Sequence, residues 1–378
     1  MAVMIGAENQ EVLFLSSLTA DSGSGIRFWN MARMVADRGA PVTFLERTAP
    51  GLPNRRHPGI RYRRSLESGP FAVRLARSWT EGRRLAAAQP WRAVYALKPL
   101  PNSVLPALRA RRSGAWAVLD VDDLDFEYYP PGPRRLAVKL FFQWAPRHFD
   151  AVSYHVAPLR EHLLQSCRVP PERLVEIPQG IDIDLFQAPA PPLPADLAAF
   201  LDRRRAIVYM ASLGITSDFE DVLPPLGALL RAHPNWGVLV LGHGVRLERF
   251  QRLVGEMGLA DAFHFAGYVG HGLVPGALAR CAAGLHYLRP GGANRYRAIM
   301  KIREYLAAGL PVAANDSGDA AAFGPYIFLS EDLAGLPAAI EGAMSEGGCE
   351  RGLAGKRYVE TELDWRRLAP RVANILRL

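Results

Sequence analysis

The sequence predicts an α/β protein of two parallel-sheet domains, and three observations carry that reading. At 378 residues the chain exceeds what one hydrophobic core usually supports. Short apolar, β-branched runs alternate with helix-period segments through both halves, the pattern of parallel strands covered by crossover helices. Midway, residues 187–194 (QAPAPPLP) hold four prolines in eight positions, which suits neither a central strand nor a helix interior. That stretch reads as a stiff linker.

In order, the first half offers strands at 11–15, 41–45, 60–63, 93–97, 117–121 and 151–154, and an edge element at 174–177. Its helices fall at 26–38, 71–88, 103–111, 134–144 and 158–165. Beyond the prolines, strands are expected at 207–211, 237–241, 263–266, 284–287, 312–315 and 327–329. Helices are expected there at 220–233, 246–257, 274–282, 298–308 and 336–344, with an amphipathic helix over about 358–378. The domain boundaries implied are 1–186, a linker at 187–205 and 206–357, the terminal helix packing back on the first domain.

Hydrophobic content of 49% and charged content of 22% describe a globular chain. No uncharged apolar run is long enough to span a bilayer, and the first residues (MAVMIGAENQ) lack the basic region of a secretory leader. Cys167, Cys281 and Cys349 are odd in number and form no CxxC pair, which fits free thiols in a reducing cytoplasm. The nine histidines form no HExxH or other tight ligand cluster, so no metal site is expected. The net charge of +8 is concentrated between 55 and 92, where ten arginines face only Glu67 and Glu81. Such a cluster suits nucleic acid, anionic lipid or a phosphorylated substrate, or is simply a solvated surface.

The sharpest local pattern is Pro290-Gly291-Gly292 followed by a helix that would present Arg297, Lys301 and Glu304 on one face. Free amides before a helix favour phosphate, a nearby lysine adds charge, and a carboxylate one turn on can hold a ribose diol. The plain alternative is a solvent ion pair between Lys301 and Glu304. The helix should stop at Gly309, with Pro311 opening a strand. A second pattern, Asp120-Val121-Asp122-Asp123, stands at the carboxyl end of a strand, where open α/β sheets bind ligands. The turn Gly23-Ser24-Gly25 lacks the third glycine of a dinucleotide fingerprint, so an oxidoreductase is a poor fit.

The stretch Met300-Lys301 … Glu304-Tyr305-Leu306-Ala307-Ala308-Gly309 resembles the donor-binding helix of GT-B glycosyltransferases, especially the retaining family four. Ser22-Gly23-Ser24-Gly25, Ile177-Pro178-Gln179-Gly180, Leu241-Gly242-His243-Gly244 and Phe265-Ala266-Gly267-Tyr268-Val269 match in order, so the resemblance covers nearly the whole chain. Two departures stand out: Tyr296 occupies the place of the family's first glutamate, and the loop 212–218 holds no basic residue. Arg289, Arg295 or Arg297 would have to supply the missing charge. The acidic stretch, with the Lys301 helix, also resembles bacterial exopolysaccharide transferases, including the inverting glucuronosyltransferase of xanthan assembly, where an aspartate at the place of Asp122 is the general base.

The resemblance implies two Rossmann-like domains facing a central cleft. It implies transfer of a hexose or hexuronic acid from a nucleotide diphosphate-sugar, UDP favoured, to a glycan or lipid-diphosphate acceptor, without metal or cofactor. The first domain would take the acceptor, with Asp122 as base. Donor contacts would come from Gly25, Gly244, Tyr268, Val269, Gly291, Gly292, Arg297, Lys301 and Glu304. A UDP-sugar epimerase and a non-catalytic nucleotide-sugar-binding subunit remain as alternatives. Basic charge interleaved with Phe71, Leu75, Trp79 and Trp91, and with Phe141, Phe142 and Trp144, suits an anionic membrane surface better than nucleic acid.

Overall fold

The computed structural model describes residues 11–19, 22–48, 56–66, 68–214 and 217–378, without the side chains of residues 71 and 72. The leader reading of residues 1–10, Arg55, Glu67, the Phe71 side chain and part of the 212–218 loop lie outside that description. The chain forms two compact units. Unit 1 takes the residues up to Gly180 with Tyr296–Ala298 and Trp365–Leu378, and unit 2 takes Ile181–Arg295 and Ile299–Asp364.

The strands of unit 1 are β1 (Val12–Thr19), β2 (Val42–Thr48), β3 (Ile60–Leu66), β4 (Ala93–Leu97), β5 (Trp116–Asp120), β6 (Ala151–Tyr154) and β7 (Leu174–Glu176). Between them run α1 (Gly23–Asp37), α2 (Phe71–Ala86), α3 (Pro101–Arg112), α4 (Pro133–Trp144) and α5 (Ala157–Gln165). Unit 2 begins with α6 (Ile183–Gln187) and α7 (Ala195–Arg203), so the proline-rich 187–194 stretch lies within it. Its strands are β8 (Arg205–Met210), β9 (Trp236–Leu241), β10 (Phe263–Gly267), β11 (Ala283–His286), β12 (Val312–Asn315) and β13 (Phe328–Ser330). Its further helices are α8 (Phe219–Ala232), α9 (Leu247–Glu256), α10 (Val274–Leu278), α11 (Met300–Ala307), α12 (Leu336–Met344) and α13 (Gly348–Tyr358). After a π-helical turn at Val359–Leu363, α14 (Trp365–Ile375) returns to unit 1.

Unit 1 is a seven-stranded sheet in the order β3-β2-β1-β4-β5-β6-β7, and its strand pairs are parallel. The sheet is covered on both faces, so its central strands are apolar throughout rather than alternating. Val12 and Phe14 enter one core with α1 and α14, while Leu13 and Leu15 enter the other with residues of α2, α3, α4 and α5. Trp365 of α14 is fully enclosed, and a Cβ on Gly180 would stand 2.5 Å from its ring. The Pro178-Gln179-Gly180 turn therefore needs glycine for packing.

Unit 2 is a six-stranded sheet in the order β10-β9-β8-β11-β12-β13. Tyr305 fixes α11 to it: its hydroxyl accepts from the Met210 amide at 2.9 Å and donates to the Leu285 carbonyl at 3.2 Å. Gly284 leaves room for that ring, since a Cβ there would lie 2.5 Å from it. In each sheet the strand order reverses once, between β1 and β4 and between β8 and β11. Open α/β sheets bind ligands outside the carboxyl ends of strands at such points.

Several sequence expectations shift. The helix expected from 298 begins at Met300, because Ala298 belongs to unit 1. The helix expected over 274–282 ends at Leu278, and the terminal helix is two helices separated by the π-turn. Trp91 and Phe142, read as membrane-facing, are buried. Among the described residues no helix is long and apolar enough to cross a membrane.

Candidate active site

The carboxyl edge of the unit 1 sheet gathers charged side chains at the β1/β4 reversal. After β1, Ser22 caps α1: its hydroxyl accepts from the Gly25 amide at 3.0 Å and donates to the Thr19 carbonyl at 2.8 Å. A Cβ on Gly25 would stand 2.2 Å from the Thr19 oxygen, so only glycine fits under this turn. One turn into α1, Arg27 is fully buried. It grips Asp120, the last residue of β5, through two bonds of 3.1 and 3.2 Å and donates to the carbonyls of Ile177 and Pro178. Ser153 donates to the same carboxylate at 2.5 Å. Asp120 is therefore a structural acid, saturated by partners.

Asp122, two residues on, faces a different partner. Lys98 follows β4 in the left-handed region (φ 61), which costs a non-glycine residue about 1–2 kcal/mol. Its ammonium, 3% exposed with the residue, stands 3.1 Å from Asp122 Oδ1 and 2.8 Å from Asp125 Oδ1. Burial favours the protonated form of Asp122, but Lys98, His155, Ser24 and Arg27 outweigh it and hold the carboxyl below its ordinary value. Burial opposes the charge of Lys98 too, and Asp122, Asp125 and Asp123 overcome it, leaving the lysine well above its usual range. Asp125 carries the residual strain: burial, with Asp122 and Asp123, pushes it up to about 6 against the pull of Lys98. The cluster holds one carboxylate firmly ionised and a neighbour that takes up a proton at about 6.

Asp123 turns elsewhere. Its Oδ1 accepts from the Leu124 amide at 2.9 Å and its Oδ2 from the Tyr128 hydroxyl at 2.5 Å. That hydroxyl in turn accepts from Arg297 Nε and Nη2 at 3.2 and 3.1 Å. This corrects one expectation. Arg297 does not lie on the α11 face beside Lys301 and Glu304; it belongs to unit 1 and is tied to Tyr128. His155, just after β6, contacts the carbonyl of Tyr296 in the same unit at 3.3 Å.

In unit 2, the loops after β8, β9 and β10 meet. The Gly242 amide donates to the Gly267 carbonyl at 2.9 Å, and the Leu213 amide to the His243 carbonyl at 3.1 Å. A Cβ on Gly244 would lie 2.3 Å from Leu213 backbone, so glycine permits this approach. Tyr268 is 77% exposed, with Val269 beside it half-buried. Gly291 and Gly292, after β11, both take positive φ (88 and 53) and lead into α11. There Glu304 is buried rather than at the surface, and it meets His271 Nε2 at 3.2 Å. Lys301 pairs with no described acid, so the simple solvent pair with Glu304 is not formed. Arg289 is held by Asp221 through bonds of 2.7 to 3.1 Å, and its amide by Asp218. Arg289 and Arg297, expected to supply phosphate charge, are thus already engaged. Among the described residues no group of three or more His, Cys, Asp or Glu is placed to hold a metal.

Sequence reasoning missed Lys98, His155, Tyr128 and His271. Each of the first two directly follows a strand, a position that the Lys98 and His155 entries into an apolar pattern advertise once the sheet order is known.

Residues 22–180 match the family of glycosyl transferase 4-like domains. The chain carries a glycosyl transferase 4-like domain. This domain and the rest of the chain together have the GT-B glycosyltransferase fold. Sucrose-phosphate synthase from Thermosynechococcus elongatus superposes with a TM-score of 0.75 at 18% identity, over 97% of this chain and 98% of that one. Anabaena HepE, in complex with UDP, gives 0.73 at 14%, over 97% and 99%. A GDP-mannose-dependent α-(1-6)-phosphatidylinositol monomannoside mannosyltransferase of Mycobacterium tuberculosis is 27% identical over 224 residues, 55% of this chain and 57% of the relative. The match thus spans little more than half the length of that relative. The glycosyl transferase 4-like domain falls within unit 1, the unit that holds the Lys98–Asp122 cluster.

Proposed function

We propose that this chain transfers a hexose or hexuronic acid from a nucleotide diphosphate-sugar to a glycan or lipid-diphosphate acceptor, without a metal ion. The observation that carries the reading is the buried Lys98–Asp122 pair at the carboxyl edge of the unit 1 sheet. A carboxylate held ionised there is suited to take the proton of an acceptor hydroxyl. As that oxygen bonds the anomeric carbon, the bond to the diphosphate breaks and its electron pair leaves with the phosphate. The proton goes to Asp122. In unit 2, Lys301 and the amides of Gly291 and Gly292 would offset the leaving charge. Glu304, oriented by His271, would hold the ribose, and the Tyr268-Val269 loop the base, with Gly25 and Gly244 leaving room for backbone approach. Lys98 already supplies the positive charge between Asp122 and Asp125 that a cation would otherwise bring.

UDP is the favoured carrier, in keeping with the UDP bound in the Anabaena structure, while the mycobacterial relative is named for GDP-mannose. Thermal denaturation with a panel of nucleotides and nucleotide sugars tests this, because a ligand of the folded state raises its melting temperature by mass action. Labelled donors then separate the alternatives: transfer or hydrolysis supports the proposal, an epimerised donor marks an epimerase, and binding without turnover marks a non-catalytic subunit. No stabilisation by any nucleotide would overturn all three.

A further inference from the structure

The outward surface of α2, α3 and α4 has no part in the chemistry above. The inner sides of these helices pack on the unit 1 sheet through Leu85, Val104, Ala107 and Phe142. Outside, α3 and α4 carry six basic residues and no acid, and α2 carries four arginines against Glu81. Two adjoining cavities, of about 390 and 240 Å³, share Trp79, Arg83 and Arg109 in their walls. Arg112, Trp144 and His148 also line the larger, and Arg84 the smaller. Arg111, also in the larger, is taken by Asp150, but Arg83, Arg84, Arg109 and Arg112 pair with no described acid. The Arg83 guanidinium lies 4.8 Å over the Trp79 ring. Trp79 Nε1 and His148 Nε2, from residues in the wall of the larger cavity, are buried without a hydrogen-bond partner among the described residues.

Charge alone would suit any polyanion. The same surface, however, bears an apolar stripe: Leu136 and Leu140 are each 56% exposed and Trp144 is 38% exposed, at i, i+4 and i+8 of α4. Leu105 of α3, 39% exposed, lies in the wall of the larger cavity with Trp144. Nucleic acid gains little from exposed leucines, and a bilayer interface gains from both features together. We propose that the α2–α3–α4 surface docks on an anionic membrane, seating lipid headgroup phosphates in the arginine cavities and the Leu136–Leu140–Trp144 stripe among the acyl chains. The proposal deepens the lipid-acceptor side of the proposed function and locates the membrane contact. It differs from the sequence expectation in its residues, since Trp91 and Phe142 are buried and take no part.

Flotation with vesicles tests it without donor or acceptor. The protein should float with phosphatidylcholine vesicles containing phosphatidylglycerol, barely with phosphatidylcholine alone, and less as salt rises. Arg83→Ala with Arg109→Ala should weaken partition about thirtyfold, from two arginine contacts at a charged surface. Leu136→Ser with Leu140→Ser should also reduce flotation while leaving the melting temperature in place. Equal binding to neutral and anionic vesicles, no binding, or wild-type flotation of both variants would overturn the assignment. Soluble glycerol phosphate that displaces the protein from vesicles at millimolar level would recast the cavities as a free phosphate site, and tighter binding to duplex DNA than to vesicles would recast them as a nucleic-acid surface. The nucleotide-induced thermal shift is measured on the same samples. Lost flotation with that shift intact condemns only the membrane surface, and flotation without any shift condemns only the transferase reading.

Discussion

Asparagine at Asp122 tests the chemistry most directly. The substitution removes one of the two carboxylates that hold Lys98, while Asp125 remains 2.8 Å from the ammonium. Leaving a buried charge wholly unpaired costs about 3–5 kcal/mol. Here the ammonium keeps one anion, and what is lost is a 3.1 Å ion pair whose Oδ1 accepts no hydrogen bond. The loss should therefore stay below that range, at most about 1.5–3 kcal/mol, within the reserve of a folded domain. Asp122 is held below its ordinary value, so its stabilisation is present above the unfolded carboxyl pKa of about 3.9 and fades as pH falls through the lower folded value. The stability difference between Asp122→Asn and wild type should then be full at neutral pH and shrink only in strong acid. Turnover should fall by at least about a hundredfold, the scale of general-base removal. The assay pairs initial rates on a labelled donor with urea denaturation and nucleotide calorimetry. Near-wild-type turnover with an α-linked product from an α-linked donor would falsify the inverting assignment and return the enzyme to a retaining mechanism.

Three further outcomes are expected. Lys301→Ala and Glu304→Gln should each weaken nucleotide-sugar binding in calorimetry while the melting temperature stays near wild type; unchanged affinity in both would remove α11 from the donor site. On the proposed reading, in which Lys301 offsets the leaving charge, activity should survive EDTA; complete loss restored by Mg²⁺ or Mn²⁺ would contradict that role. Asp125, raised from 3.8 to about 6 chiefly by burial, opposes folding once ionised, so it should stabilise the protein as pH falls. Urea titrations should give wild type about 1 kcal/mol more between pH 7 and pH 5 than Asp125→Asn gains over the same interval. Parallel pH profiles for the two proteins would refute the strained carboxyl.

Much of the fold was legible because both sheets are buried on two faces. Runs such as Ala93–Leu97 and Trp236–Leu241 are continuous apolar strands, and their alternation with amphipathic helices leaves few other architectures. The acid cluster was legible for the same reason, standing at a strand end. Lys98 was not, because one lysine before a Pro-Leu-Pro turn looks like a solvated charge; only the β4–β5 pairing puts it beside Asp122. Arg297 was misplaced because helical periodicity extends smoothly back from Met300, and nothing in local sequence signals that residues 296–298 belong to another unit. The partner of Glu304 was hidden likewise: His271 stands more than thirty positions away along the chain.

The return of α14 to unit 1 bears on how the chain is made. Trp365, Leu368, Val372 and Ile375 fill the same core as Phe14, Phe28 and Tyr95, yet all of unit 2 is synthesised between them. The first unit to leave the ribosome is consequently the last to be completed, and until its closing helix arrives it presents an open apolar groove along α1. Expression of residues 1–180 alone would make that groove permanent and should give an aggregating product. Supplying 365–378 as a separate peptide should rescue its solubility, which makes the terminal helix a handle for controlling assembly of the intact protein.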